Sequence, residues 1–236
     1  MNFGIIAAGE GSRLVEEGVE YPKPLVPLCG KPMIGRLIDI FIDCGAEKIC
    51  IIVNEHMTEV KSWLQERAET MPVEMELVVK TTPSSMHSFH EIGSHLKNHG
   101  RFILTTVDTI FHEDDFKRYV KAYSEAPESV DAMMAVTGYI DDEKPLYVAT
   151  SPEMEVTAFL DSPEPEVKFV SGGIYGLGDR AIDVLENCME KGVSRMRNYQ
   201  RALIADGLNV KAYDMGKIID VDHAGDIAKA EDFLKG

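Results

Sequence analysis

At 236 residues the chain can bury a sizeable core, and one domain is its most economical organisation. Hydrophobic content of 44% and charged content of 27% are those of an ordinary soluble globular protein, while a formal charge of −16 opposes binding to nucleic acid or to an anionic membrane. A phosphate-bearing ligand must then be held by a local cationic spot or by a metal ion. Cys29, Cys44, Cys50 and Cys188 form no C-x-x-C pair, the N-terminus lacks a basic leader, and the first apolar run is too short to span a bilayer. Reduced thiols in a cytoplasmic protein is the expectation.

In chain order, the spacing predicts strands over 2–8, 48–53, 74–79 and 101–107. Helices are predicted between them over 32–44, 57–69 and 85–97, with Pro32 at the first helical position and Gly45 as a stop. That alternation predicts a parallel sheet with helices on both faces. After a helix over 113–124 the pattern changes. Strands over 132–139, 146–150, 155–159 and 168–175 follow one another through polar turns, and the tract 161–166 reads as a solvated loop. Helices over 179–191 and 196–206, strands over 209–213 and 216–221 and a closing helix over 223–234 complete the chain. No repeat or linker marks a second domain.

The first predicted strand runs into Gly9-Glu10-Gly11-Ser12-Arg13-Leu14, followed by Pro22-Lys23-Pro24-Leu25-Val26-Pro27 and Gly30-Lys31-Pro32-Met33-Ile34. Glycines let a backbone close around a ligand, loop amides with Arg13 and Lys23 suit a polyphosphate, and two prolines stiffen the segment that carries Lys23. Neither the P-loop string nor the dinucleotide fingerprint is present, the third position of the latter being Leu14.

The segment resembles the opening of the nucleotidyltransferase family that activates sugar 1-phosphates and related compounds: a strand, G-x-G-[ST]-R-L, then P-K-P-L-x-P-x-x-G-K-P-[ML]-[IL]. The resemblance implies a single α/β domain with a three-layer, Rossmann-like mixed sheet, its 1–125 half binding nucleotide and its 126–236 half binding the acceptor and ending in the closing helix. It also implies transfer of NMP from an NTP to a small phosphorylated acceptor, with Mg²⁺ as cofactor, release of pyrophosphate, and no nucleic-acid or membrane partner. A homo-oligomer is left open.

Ligands of open parallel sheets sit beyond the carboxyl ends of the strands, where Asp108 ends the fourth strand. In an extended segment Asp220 and Asp222 share a face. The family places its metal-binding aspartate at Asp108, although Val107 stands where Gly is common, and a second ligand at Asp220 or, with slightly better match, Asp222. Carboxylates suit a hard divalent cation. Asp226 reads as a cap of the closing helix. By resemblance Arg13 stabilises departing pyrophosphate with the amides of Ala8, Gly9, Gly11 and Ser12. Lys23 neutralises phosphate charge, and Gly173, in Gly172-Gly173-Ile174-Tyr175, admits the acceptor. Thr82, Ser84, Ser85 and Ser88 lie where the family contacts base and sugar, and equally where a helix cap would stand.

Two departures bear on substrate. The Glu-Lys that usually precedes the A-G-[IV]-Y stretch is replaced by Leu160-Asp161-Ser162-Pro163, and Ile218-Ile219 replaces the aromatic before the late aspartate. A sugar 1-phosphate remains the first-ranked acceptor, with phosphocholine-like compounds next. The competing readings are a nucleotide-sugar glycosyltransferase of related fold, using Asp220-Val221-Asp222, and a non-catalytic ligand-sensing subunit. His87, His90, Glu91 and His95 form no H-E-x-x-H and read as solvated or capping residues.

Overall fold

The computed structural model describes all residues 1–236. In chain order the elements are β1 (Asn2–Ala7), α1 (Ser12–Glu16), β2 (Pro27–Leu28), β3 (Lys31–Pro32), α2 (Met33–Asp43), β4 (Lys48–Val53), α3 (Thr58–Ala68), β5 (Glu74–Val79), α4 (Ser85–Leu96), β6 (Phe102–Thr106), β7 (Thr109–Ile110) and α5 (Glu113–Ser124). There follow β8 (Ala132–Thr137), β9 (Tyr147–Thr150), β10 (Val156–Leu160), β11 (Phe169–Leu177), α6 (Asp179–Glu190), α7 (Met196–Ala205), β12 (Val210–Asp214), β13 (Ile219–Asp220) and α8 (Ala224–Lys235).

β1 is buried along its whole length and pairs in parallel with β4 and β6, Ile5 facing Ile51 on one side and Thr105 on the other. A strand covered on both faces has no solvent side to make polar, which is why it reads as an unbroken apolar run. β5 extends this parallel half. β11 then pairs antiparallel with β6, β8 and β9, so one mixed sheet joins the two halves of the chain. β12 adds to β8, and β10 to β9.

Two cores lie on the two faces of this sheet. One carries α2, α3 and α5 and contains a column of rings, with Phe3 stacked on Phe41 at 4.5 Å and Phe41 on Phe116 at 5.5 Å. The other carries α4, α6 and α7, where Phe89 meets Tyr199 edge-on at 5.6 Å. The architecture is the expected three layers. A third, smaller core gathers Leu14, Val26, Leu28, Met33, Ile219, Val221 and Ala230. It pins α1, the β2–β3 hairpin, β13 and α8 together, and so fixes the loops that carry Arg13, Lys23 and Asp222.

Most predicted elements agree within one to two residues at each end. Pro32 is a correction: it sits at the N-cap of α2 in extended conformation and pairs in β3, so the first helical residue is Met33. The strand predicted over 216–221 shrinks to β13, because it pairs only with the two residues of β7. Gly45 does stop α2, at φ 76°. Helix α1, the β2–β3 hairpin and β7 were not anticipated; each is too short to show periodicity.

Candidate active site

β1 and β6 are parallel neighbours, so the loops that leave their carboxyl ends meet at one edge of the sheet. The first is Ala8–Ser12. Its Gly11 has φ 63°, and a Cβ there would stand 2.8 Å from Cβ of Lys23. Only glycine allows both this turn and this approach, and the loop therefore lies directly on the lysine. Gly9 differs: its φ is not positive and nothing lies within 4 Å of where its Cβ would be, so it contributes open space.

Lys23 begins a short 3-10 turn, Lys23–Leu25, after the extended Pro22. Its ammonium lies 2.6 Å from Oδ2 of Asp108 and 2.7 Å from Oδ1 of Asp222, with only 10% of the side chain exposed. Burial works against the charged ammonium, but the two carboxylates outweigh it and hold the proton more firmly than usual. Burial likewise opposes a charged Asp108, and the Lys23 ammonium with the Thr106 hydroxyl outweighs it, placing that carboxyl below the usual carboxylate range. Asp220 has no such partner. The walls around it, and then the Asp108, Asp222 and Asp142 charges, push its carboxyl well above that range, although its side chain keeps a face open to solvent.

Arg13 reaches the same point from the rim, 3.4 Å from Oδ2 of Asp222 and 3.9 Å from Oε2 of Glu143. Asp222 is fixed from behind. The Asp226 carboxylate accepts from the backbone N–H of Asp222 at 3.2 Å and of His223 at 2.9 Å, the capping role expected of it. Glu17, at the end of α1, accepts from the Ala224 N–H and pairs with His223 Nδ1, both at 2.6 Å. The segments bearing Arg13 and Asp222 are thus tied to each other.

Two clefts open on either side of this cluster. One, of 480 Å³, is lined by Ala8, Gly9, Gly11, Ser12, Lys23 and Asp108, and by the Thr81–Ser85 turn with Ser88. Thr82 and Ser88 share a hydrogen bond of 2.6 Å. Ser84 occupies the N-cap of α4, yet its hydroxyl caps no N–H of that helix; it pairs with His87 Nδ1 at 2.8 Å and accepts from the Arg195 N–H at 3.4 Å. The other cleft, of 370 Å³, is lined by Gly173, Asp108, Asp220 and Asp222 together with Lys144, Arg195 and Gln200. Gly173 has φ 72°, and a Cβ there would lie 2.5 Å from the Thr109 hydroxyl, so the glycine is required by the packing of β11 beside Asp108.

Every sequence-predicted site residue except Arg13 therefore lines one of these two clefts, and Arg13 lines a third, of 390 Å³, together with Asp220 and Asp222. Sequence reasoning missed Asn54, Glu17, Glu143, Lys144, Arg195 and Gln200. Asn54 follows β4 as Asp108 follows β6, and that strand-end position was a usable signal; its carboxamide donates to Ala8 O at 3.4 Å and accepts from Thr81 at 3.1 Å. Nothing local marks the others. The tract 161–166 is the exposed loop expected of it, and its first residue, Asp161, is held at the surface by Arg197 and Arg201 at 2.7 and 2.8 Å.

The donors that converge here are carboxylate oxygens, the set a hard cation prefers. No three His, Cys, Asp or Glu side chains close around a single point.

An α/β sheet with a glycine loop, a lysine and paired aspartates at its carboxyl edge defines a phosphate-handling transferase. The chain belongs to the nucleotidyl transferase family, whose pattern matches residues 4–234. It is 26% identical over 238 residues to the bifunctional protein GlmU of Methanococcus maripaludis, covering 98% of this chain and 53% of that protein. It is 22% identical to the GlmU of Clostridioides difficile, covering all of this chain and 52% of the relative. The chain thus spans about half the length of these curated relatives. Its fold is that of the inositol-1-phosphate CTP transferase from T. maritima (TM-score 0.78, 14% identity, 99% of this chain and 97% of that one). A Bacillus anthracis protein described as a candidate glucose-1-phosphate thymidylyltransferase shares it too (TM-score 0.84, 22% identity, 100% and 95%). No helix is long and apolar enough to cross a membrane.

Proposed function

We propose that the chain transfers a nucleotidyl group from an NTP to a small phosphorylated acceptor, a sugar 1-phosphate first, and releases pyrophosphate. The observation that carries this reading is the position of Lys23 between Asp108 and Asp222, with a glycine-lined cleft on one side and the Gly173 cleft on the other. The NTP would lie over Ala8–Ser12, its base and ribose toward Thr82 and Ser88. An oxygen of the acceptor phosphate attacks the α-phosphorus, the bond from that phosphorus to the bridging oxygen breaks, and its electron pair leaves with pyrophosphate. No covalent enzyme intermediate is needed, and the residues act by position and charge.

Lys23 neutralises the crowded phosphate oxygens, and Arg13, half-exposed beside Asp222, meets the departing pyrophosphate. Asp108 and Asp222, with Asp220 beside them, would hold a Mg²⁺, which when bound supplies positive charge to the phosphate oxygens. The reading predicts pyrophosphate release from at least one NTP–acceptor pair with Mg²⁺ and its loss with EDTA. Silence across a broad panel, from protein that is folded and binds nucleotide, would overturn it in favour of a sensing subunit.

A further inference from the structure

Arg13 and Asp222 come from opposite ends of the chain, and one side chain outside both clefts joins the segments that carry them. Glu17 stands one helical turn beyond Arg13, its backbone N–H donating to the Arg13 carbonyl at 3.0 Å. Gly18, at φ 84°, ends the turn there. The two oxygens of the Glu17 carboxylate are then divided between two adjacent residues, 206 and 207 positions away. Oε1 pairs with His223 Nδ1 and Oε2 accepts from the Ala224 N–H, and these are the two residues that follow Asp222. The Arg13 guanidinium, 3.4 Å from Oδ2 of Asp222, closes the ring.

Folding has other supports here. The N–H groups of Asp222 and His223 are taken by Asp226, a cap that α8 supplies from its own first turn. Leu14, Ile219, Val221 and Ala230 are all buried and pack α1, β13 and α8 into one core. The Glu17–His223 pair itself is about two-fifths exposed on each side, and such a pair adds little stability. What neither the cap nor the core supplies is a directional tie from α1 to the backbone behind Asp222. Besides the Arg13–Asp222 contact, both side-chain hydrogen bonds across that gap belong to Glu17. A side chain that orients a ligand's backbone counts for more in the ligand's affinity than in folding.

We propose, resting on the reaction above for the roles of Asp222 and Arg13, that Glu17 is a positioning residue. Through the His223–Ala224 backbone it sets the carboxylate that would hold the divalent cation against the guanidinium that would meet pyrophosphate. With Asp226 alone, Asp222 keeps its backbone hydrogen bond but is free to shift relative to α1 and its arginine.

The test is Mn²⁺ binding, followed by electron paramagnetic resonance, to the full chain and to Glu17→Ala and Glu17→Gln. Each is saturated with the tightest binder among the α,β-methylene analogues of ATP, CTP, GTP, UTP and dTTP. Glutamine keeps an oxygen for the Ala224 N–H and loses only the charge, so it separates positioning from the field of the carboxylate. Glu17→Ala weakens Mn²⁺ by about tenfold or more, and Glu17→Gln recovers most of that loss. Tm falls by no more than about 4 °C in either variant, the scale of an exposed pair. Turnover divides the same way: kcat falls in Glu17→Ala while the acceptor KM stays within about twofold of wild type. Unchanged Mn²⁺ affinity in Glu17→Ala, an equal loss in Glu17→Gln, or a Glu17→Ala chain that fails to fold would each overturn the proposal, the last because Glu17 would then be a strut of the fold. Wild type that binds no Mn²⁺ with any analogue overturns it together with the role given to Asp222. Pyrophosphate release that Glu17→Ala leaves unchanged sinks the positioning role alone. Glu17-dependent Mn²⁺ binding without release from any NTP–acceptor pair sinks the reaction and leaves the tie.

Discussion

The two walls of the cleft treat their polar groups differently. On the wall built by the first half of the chain, Lys23 has two carboxylates, Asn54 bonds both ways and Thr82 holds Ser88. On the wall built by the second half, Arg195, Lys144, one end of Gln200 and Asp220 lack counterparts. A wall satisfied by itself is preorganised for a ligand part that is always the same, which on the proposed reading would be the triphosphate. A wall with open valences waits for a ligand to complete it, and on the proposed reading that is where specificity for an acceptor would reside.

Removing the shared cation breaks the first wall with the largest effect. Lys23→Ala leaves Asp108 and Asp222 facing each other without their ammonium and strips the phosphates of a preorganised charge. Pyrophosphate release should fall by roughly 10²–10³, the scale of losing one preorganised donor. Full turnover in this variant would remove Lys23 from the mechanism.

The glycine loop allows a finer division. Gly11→Ala introduces both a positive φ and a Cβ 2.8 Å from that of Lys23, and urea unfolding should show a loss of about 1–2 kcal/mol from the φ alone. Gly9→Ala meets nothing, so its stability should stay within about 0.5 kcal/mol of wild type while NTP binding weakens, because the methyl enters the cleft. Equal destabilisation by the two substitutions would contradict the assignment of one glycine to folding and the other to ligand space.

The same contrast explains how much of the molecule is legible in the sequence. Asp108 follows a strand whose periodicity is plain, and Arg13 and Lys23 are legible from the continuous glycine and proline string that carries them, although α1 and the turn at Lys23 are too short to show a period. Asp222 is legible because a D-x-D precedes a helix. Lys144, Ser171 and the pair Arg195 and Gln200 lie in three separate segments, brought together by the path of β11 and α7 that no local spacing encodes. Arg195 is hidden doubly, since nothing in Val193-Ser194-Arg195-Met196 announces a positive φ.

Asp161 offers a milder test on the second wall. Hydrogen bonds from Arg201 and Arg197 hold its carboxyl below the usual range, so the folded state gains stability from the ionised form above the unfolded-state pKa and loses it as pH falls through the lowered folded value. Asp161→Asn should therefore lower Tm slightly at pH 7, and the difference should shrink as the buffer is made acid. The pair is exposed and salt should reduce the effect. A gap that widens in acid would mean that Asp161 is not the anchor of α7.

The smallest perturbation probes burial directly, through the thiols. Cys29 is exposed at the β2–β3 turn, whereas Cys50 lies fully buried in β4 between β1 and β5, and burial pushes its thiol up to about 12. Cys44, half-buried at the end of α2, is pushed up to about 11 by the same cause. Only a thiolate attacks a disulfide reagent, so at pH 8 the native chain should release colour quickly from Cys29 and slowly or not at all from Cys50. Denaturant should bring all the thiols to one rate. Because β4 sits at the centre of the parallel half, fast labelling of Cys50 in the native state would mean that this half opens locally, and the rigid wall inferred for the triphosphate would lose its physical basis.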